Sequence, residues 1–168
     1  AETDLALLRS PVDPAAIHEA REALRVRLAL HLNGELRRLH TGLQDLGEFS
    51  PDAAGAGRRA LRNAALDLLS STGRNDVAEI ASGHYQAAVN MTDVMGGLNA
   101  LMNIGGPASE DALAHFYDRF KDEPLVIDKW FALQAGAPDR NGNVLPAVRQ
   151  LLSHPDFSLK NPNRARSV

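Results

Sequence analysis

Cysteine is absent from this chain of 168 residues, which rules out disulfides and thiolate metal ligands. That usage fits a reducing compartment. No apolar run approaches the ~20 residues that a membrane-crossing helix requires, and no stretch has the pattern of a secretory signal. Acidic residues barely outnumber basic ones, 21 to 18, and a net charge of −3 gives no reason to expect nucleic acid or an anionic membrane as a partner. Aromatic residues make up only 5% of the chain. Sustained alternation of apolar and polar residues with β-branched enrichment is missing, so a sheet architecture is not expected. A zincin site needs two histidines four apart on one helix with a glutamate between them. None of His18, His31, His40, His84, His115 and His154 stands four residues from another, and no H-E-x-x-H occurs.

What is present is helical punctuation. Asp13-Pro14 and Ser50-Pro51-Asp52 each combine a capping side chain with an early proline, the usual opening of a helix. Ile17, Ala20, Leu24 and Leu28 form one apolar stripe, and Leu61, Ala64, Ala65, Leu68 and Leu69 another. Asn33-Gly34 is expected to end or bend the first of these helices, and a second stretch runs from Glu35 to about Leu46. Ala1 to Val12 is weakly patterned and is expected to fray. Gly73 closes a helix, Asp76 to about Gln86 forms the next, and Thr92-Asp93 opens one that stops at Gly105-Gly106-Pro107. Ser109-Glu110-Asp111 opens another. Asn141-Gly142-Asn143 reads as a loop and cap before a helix carrying Val144, Val148, Leu151 and Leu152.

The most informative stretch is Phe116 to Ala135, which holds the only tryptophan. Leu113, Phe116, Tyr117 and Phe120 share one helical face before Pro124; Ile127, Trp130, Phe131 and Gln134 share one after it. Two short amphipathic helices meeting at a corner follow, since proline suits a first turn and disfavours helix in the residue before it. The expected fold is all-α, with antiparallel helix pairs stacked as an α-solenoid, a superhelical HEAT-like array, in a single domain over 1–168. No repeated consensus is visible, so the repeat is one of structure only.

Most candidate chemistry has a plainer reading. Gly55-Ala56-Gly57-Arg58-Arg59-Ala60 matches the loose dinucleotide pattern G-x-G-x-x-A, yet no strand feeds it, so glycines that permit close packing are expected. Asn90-Met91-Thr92 fits the glycosylation pattern, but a capping or buried role is preferred. Asp122 and Glu123, with Asp118 nearby, read as a solvated acidic face. Ser, His and Asp are not arranged locally as a nucleophilic triad. The one place with a functional tilt is the basic C-terminal cluster, where Lys160, Arg164 and Arg166 stand beside Asn161 and Asn163 at a helix start. So short a helix is costly to nucleate, which implies that the natural chain continues.

The runs DEPLVIDKWFALQA (Asp122–Ala135), NMTDVMGGLNAL (Asn90–Leu101) and VRQLLSHPDFSLKNPNRARS (Val148–Ser167) resemble the C-terminal helical region of the bacterial aminopeptidase N family, zinc metallo-aminopeptidases of the gluzincin type. The resemblance runs from about Asp13 to the end. It implies a truncated part of a larger C-terminal helical domain. The zinc, its bound water and the glutamate base of the full-length cytoplasmic enzyme would lie outside this chain, which is expected to have neither a catalytic residue nor a metal site. The implied partners are the catalytic domain of the same polypeptide and, in the full-length form, peptides, with no nucleic acid and no membrane. The segment would enclose the active-site chamber and limit substrate access. The family's NPNR-x-R run matches at Asn161, Pro162, Asn163, Arg164 and Arg166, which makes Asn161, Arg164 and Arg166 the candidate substrate-channel residues; capping and packing against partner helices is the plainer reading, above all for Arg164. Read without the resemblance, the chain suits a freestanding helical-repeat module for binding another protein.

Overall fold

A computed structural model describes residues 2–8, 10–44, 47, 49–139, 142 and 144–168. The elements are α1 (Glu2–Leu7), α2 (Pro14–His31), α3 (Asn33–Gly42), α4 (Ala53–Ser70), α5 (Asn75–Gln86), α6 (Met91–Ile104), α7 (Pro107–Phe120), α8 (Pro124–Ala135), α9 (Val144–Leu151) and α10 (Pro162–Arg166). No strand occurs among the described residues. The all-α expectation holds, and helices pack mainly on their neighbours in sequence, as stacked helix pairs do.

The polar punctuation works as its chemistry dictates. The Asp13 carboxylate accepts the Ala16 N–H at 3.0 Å, and that of Asp52 accepts the Gly55 N–H at 2.6 Å. The Asn90 side chain accepts the Asp93 N–H at 3.0 Å while its amide donates to the Asp93 carboxylate. Each satisfies a first-turn amide that would otherwise lack a partner. Asn90 thus has the capping role, and α6 starts at Met91. Helix α7 starts at Pro107, a residue suited to a first helical position, ahead of the expected Ser109, whose hydroxyl donates to the Gly106 carbonyl at 2.7 Å.

Other boundaries also differ from expectation. Residues 2–7 form a helix despite weak patterning. Asn33 and Gly34 lie in the first turn of α3, and the break falls at Leu32. Helix α3 closes at Gly42; Leu46, the expected end, lies outside the described residues, as do Asn141 and Asn143 of the expected loop.

The chain divides into two compact units, Ala1–Thr72 and Gly73–Val168. In the first, α2 and α3 pack on α4, with Ala29, Leu36, Ala65, Leu66 and Leu69 buried. Arg25 on α2 pairs with Asp67 on α4 at 3.0 Å. The apolar stripe expected of α2 is not the buried side: Leu24 and Leu28 are exposed, and Ala29 alone is buried on that helix. The buried face of α4 keeps Ala65 and Leu69 of the expected stripe but is shifted at its edge. Leu61 is exposed, whereas Arg59 and Arg62 are buried. Their long stems cover apolar surface; Arg62 Nε donates to the His40 carbonyl, while Arg59 lies over the Phe49 ring with its Nη1 buried and without a hydrogen-bond partner among the described residues.

In the second unit the closest approach is that of α5 to α6. A Cβ added at Gly97 would lie 2.8 Å from Tyr85 Cβ and 2.9 Å from Tyr85 Cα and N. Beyond it, Leu98, Leu101, Phe116, Ile127 and Phe131 are almost wholly buried. The expected aromatic cluster forms: Phe116 meets Phe120 at 4.8 Å, Tyr117 meets Trp130 at 5.0 Å, and Trp130 meets Phe131 edge-on at 5.1 Å. The Trp130 indole N–H donates to the Leu113 carbonyl at 3.1 Å, which ties α8 to α7.

The contact at Gly97 is against backbone, so it has no flexible side chain to displace. Gly97→Ala is expected to destabilise by about 1–3 kcal/mol through overpacking. Gly83→Ala, on the same helix pair but with open space around its Cβ position, is expected to stabilise by a few tenths to about 1 kcal/mol. Urea denaturation followed by circular dichroism measures both; the same sign for the two would contradict the packing described.

Candidate functional site

The C-terminal corner is built around α8 and α10. Asn161 caps α10, its Oδ1 accepting the N–H groups of Asn163 at 3.0 Å and Arg164 at 3.3 Å, and Pro162 occupies the first helical position. This points the Arg164 side chain into the interior, where it is buried. Its Nε donates to Asp128 Oδ1 at 2.5 Å, one terminal nitrogen to the Asp156 carbonyl, and the other to the Pro124 carbonyl at 3.2 Å. The guanidinium also stands 4.9 Å from the centre of the Phe131 ring.

Asp156 extends this network. Its Oδ2 accepts the Tyr117 hydroxyl at 2.6 Å, and its N–H donates to His154 Nδ1 at 3.1 Å. The His154 ring is set among Tyr117, Trp130 and Phe131 at 5.2–5.4 Å. The hydrogen bond to Asp156, with lesser help from burial and from the charges of Asp156, Asp118 and Asp122, raises the Tyr117 pKa above its ordinary value.

Of the three residues singled out in sequence, Asn161 and Arg164 therefore have their polar groups engaged in building the corner. Arg166 is exposed, on a shallow hollow of about 420 Å³ that it lines with Leu125, Asp128, Lys129 and Asn163. The other cation of the cluster, Lys160, is also exposed.

A second hollow was not expected from sequence. A cleft of about 430 Å³ lies between α5, α6 and α7, lined by Ser82, Tyr85, Leu101, Asp111, His115 and Arg119 among others. The Tyr85 hydroxyl lies 2.7 Å from His115 Nδ1 and 3.3 Å from the Ala112 carbonyl. Burial raises the Tyr85 pKa, with Arg119 opposing it. The signal for this cleft was present: Asp111, His115 and Arg119 recur every four residues, on the polar side of the helix whose apolar side carries Phe116.

The glycine-rich stretch has no phosphate cradle. The Gly55 amide already bonds to Asp52, and the Ser50 carbonyl occupies the space beside Gly55. Among the described residues no three His, Asp or Glu side chains gather as metal ligands. His84 and Asp93, both buried with Nε2 3.8 Å from Oδ1, are a pair and not a set. These residues do not fit a zinc site of three or four ligands. No described helix is long and apolar enough to cross a membrane.

A family described as "Domain of unknown function (DUF3458_C) ARM repeats" matches residues 1–168. Aminopeptidase N of Caulobacter vibrioides is 50% identical over 167 residues, 99% of this chain and 19% of that protein. Aminopeptidase N of Escherichia coli is 37% identical over 166 residues, 98% of this chain and 19% of that protein. The crystal structure of Legionella pneumophila aminopeptidase A in complex with aspartic acid superposes with a TM-score of 0.83 at 25% identity, covering 100% of this chain and 20% of that one. The chain thus spans about a fifth of the length of these relatives. The resemblance read from the sequence is borne out.

Arg164→Met leaves Asp128 and two carbonyls without their donor and is expected to cost about 3–5 kcal/mol, whereas Arg166→Ala, at an exposed position, should stay within about 0.5 kcal/mol of the parent. Chemical denaturation distinguishes the two. The chain has two tyrosines, and both have raised pKa values. A raised phenol stabilises the fold fully below the ordinary value near 10 and loses that contribution as pH rises through the folded value. Absorbance at 295 nm should therefore show both phenols ionising at higher pH in the folded chain than in urea. Coincident titrations would contradict the hydrogen bond to Asp156 and the burial of Tyr85.

Proposed function

The chain belongs to the DUF3458_C family of ARM-repeat domains, and from that membership we propose that it is the non-catalytic C-terminal helical part of an aminopeptidase N-like enzyme. The longer protein would remove N-terminal residues from peptides in the cytoplasm, using a zinc ion held outside this segment. The observation that carries this reading is whole-chain coverage: 98–99% of the chain aligns with two proteins named Aminopeptidase N while accounting for 19% of each. Metal ligands, the water-activating base and the group that holds the substrate's amine would come from the remainder of the polypeptide. That remainder is the partner, and residues 1–168 act as one domain beside it. Their task is to wall the active-site chamber and restrict entry to unfolded peptides.

The hollow around Arg166 and Lys129 is the part of this wall best suited to meet a peptide. Two cations are exposed there beside Asn163 and the apolar Leu125, a combination that attracts acidic or carboxylate-bearing chains. Arg164 and Asn161 support it from below by fixing the turn that precedes Arg166.

In the enzyme carrying this domain, Arg166→Ala combined with Lys129→Ala is expected to leave turnover of a single-residue alanyl anilide unchanged and to alter kcat/KM for long unstructured peptides several-fold. No change on either substrate would remove the wall role; an equal loss on both would place the defect at the catalytic centre. Turnover of the anilide by the isolated chain, with zinc bound in equal amount, would overturn the non-catalytic assignment.

A further inference from the structure

We propose that the cleft between α5, α6 and α7 binds a short extended peptide with both termini free. The site is separate from the hollow at Arg166 and does not depend on the chamber-wall reading. Its volume, about 430 Å³, falls in the range of small-ligand sites. The floor is apolar, with Leu101 and Ala112 buried beneath the opening.

The two ends carry opposite charges. Asp111 stands early in α7 and Arg119 in its last turn, eight residues on and so about 12 Å along the axis. Among the described residues neither the Asp111 carboxylate nor the Arg119 guanidinium has an ion-pair or hydrogen-bond partner. The Arg119 guanidinium lies 5.0 Å from the centre of the Phe120 ring. Midway between them, His115 Nδ1 is engaged with the Tyr85 hydroxyl at 2.7 Å. Its Nε2 is left for a peptide group.

A ligand with one charge would satisfy one end and leave the other exposed to loss of water. A zwitterion of the right length satisfies both. An extended chain advances about 3.3–3.6 Å per residue, so three or four residues reach from one end to the other. The ammonium would lie at Asp111 and the carboxylate at Arg119, matching the sign of each end, and small apolar side chains would lie on the Leu101 and Ala112 floor.

Isothermal titration of the chain with tetra-alanine tests this, alongside N-acetylated and C-amidated tetra-alanine and the exposed-site variants Asp111→Asn and Arg119→Gln, whose folding is checked by circular dichroism. The free peptide should bind saturably, and either cap should weaken binding about tenfold or more, the usual effect of losing one charge-assisted hydrogen bond. Asp111→Asn should abolish discrimination against the acetylated peptide, and Arg119→Gln against the amidated one. Absence of binding, equal binding of capped and free peptides, or binding indifferent to both substitutions would each overturn the proposal.

Discussion

The C-terminal corner depends on one buried cation. Arg164 joins the Asp128 carboxylate, the carbonyls of Pro124 and Asp156, and the Phe131 ring. Burying a guanidinium is unfavourable unless its charge is paired and its donors are occupied. Here both conditions are met by groups from one helix, α8, and the loop at Asp156, so the segment after α9 can close on α8 although α10 has only five residues. A planar fork of donors suits this geometry; a lysine would meet one acceptor where the arginine meets three.

Occupancy of donors separates support from contact at Arg164 and Arg166. Buried Arg62 and Arg164 bond to carbonyl groups, and Arg59 lies over an aromatic ring. Arg119 and Arg166 are exposed at the edges of hollows. A residue whose polar atoms are already satisfied inside the fold has nothing left with which to hold a ligand, whatever its residue type. Basic clusters in sequence mix both kinds, and Arg164 and Arg166 illustrate the difference two positions apart.

Much of the fold was legible because its signals are local. Asp13-Pro14, Asp52 and Pro124 mark helix starts through chemistry confined to a few residues, and Gly73, at φ +65°, marks a stop that side chains with a Cβ rarely adopt. The aromatic cluster at the α7–α8 corner was visible because its members share helical faces on either side of one proline. The orientation of α2 was not, nor was the part of α4's buried face that lies beyond Ala65 and Leu69. Leu24, Leu28 and Leu61 dominate a count of apolar residues, but the inner faces are completed by Ala29 and by the stems of Arg59 and Arg62. Periodicity finds a stripe; which side of it is buried depends on what the neighbouring helix presents. The α5–α7 cleft was missed for the same reason, since it needs Tyr85 and His115 to meet from helices thirty positions apart.

The closeness of α5 and α6 connects that cleft to the packing. With no side chain at Gly97, Tyr85 can sit against the α6 backbone, and its ring is then directed toward α7, where the hydroxyl reaches Ala112 and His115. A larger residue at position 97 would push α5 outward and move the hydroxyl away from both partners. A glycine that reads in sequence as a weakness in a helix therefore sets the position of the tyrosine, and the tyrosine sets the position of the imidazole. Helices packed in series on their neighbours transmit such a constraint over short distances, each element being placed chiefly by the one or two beside it.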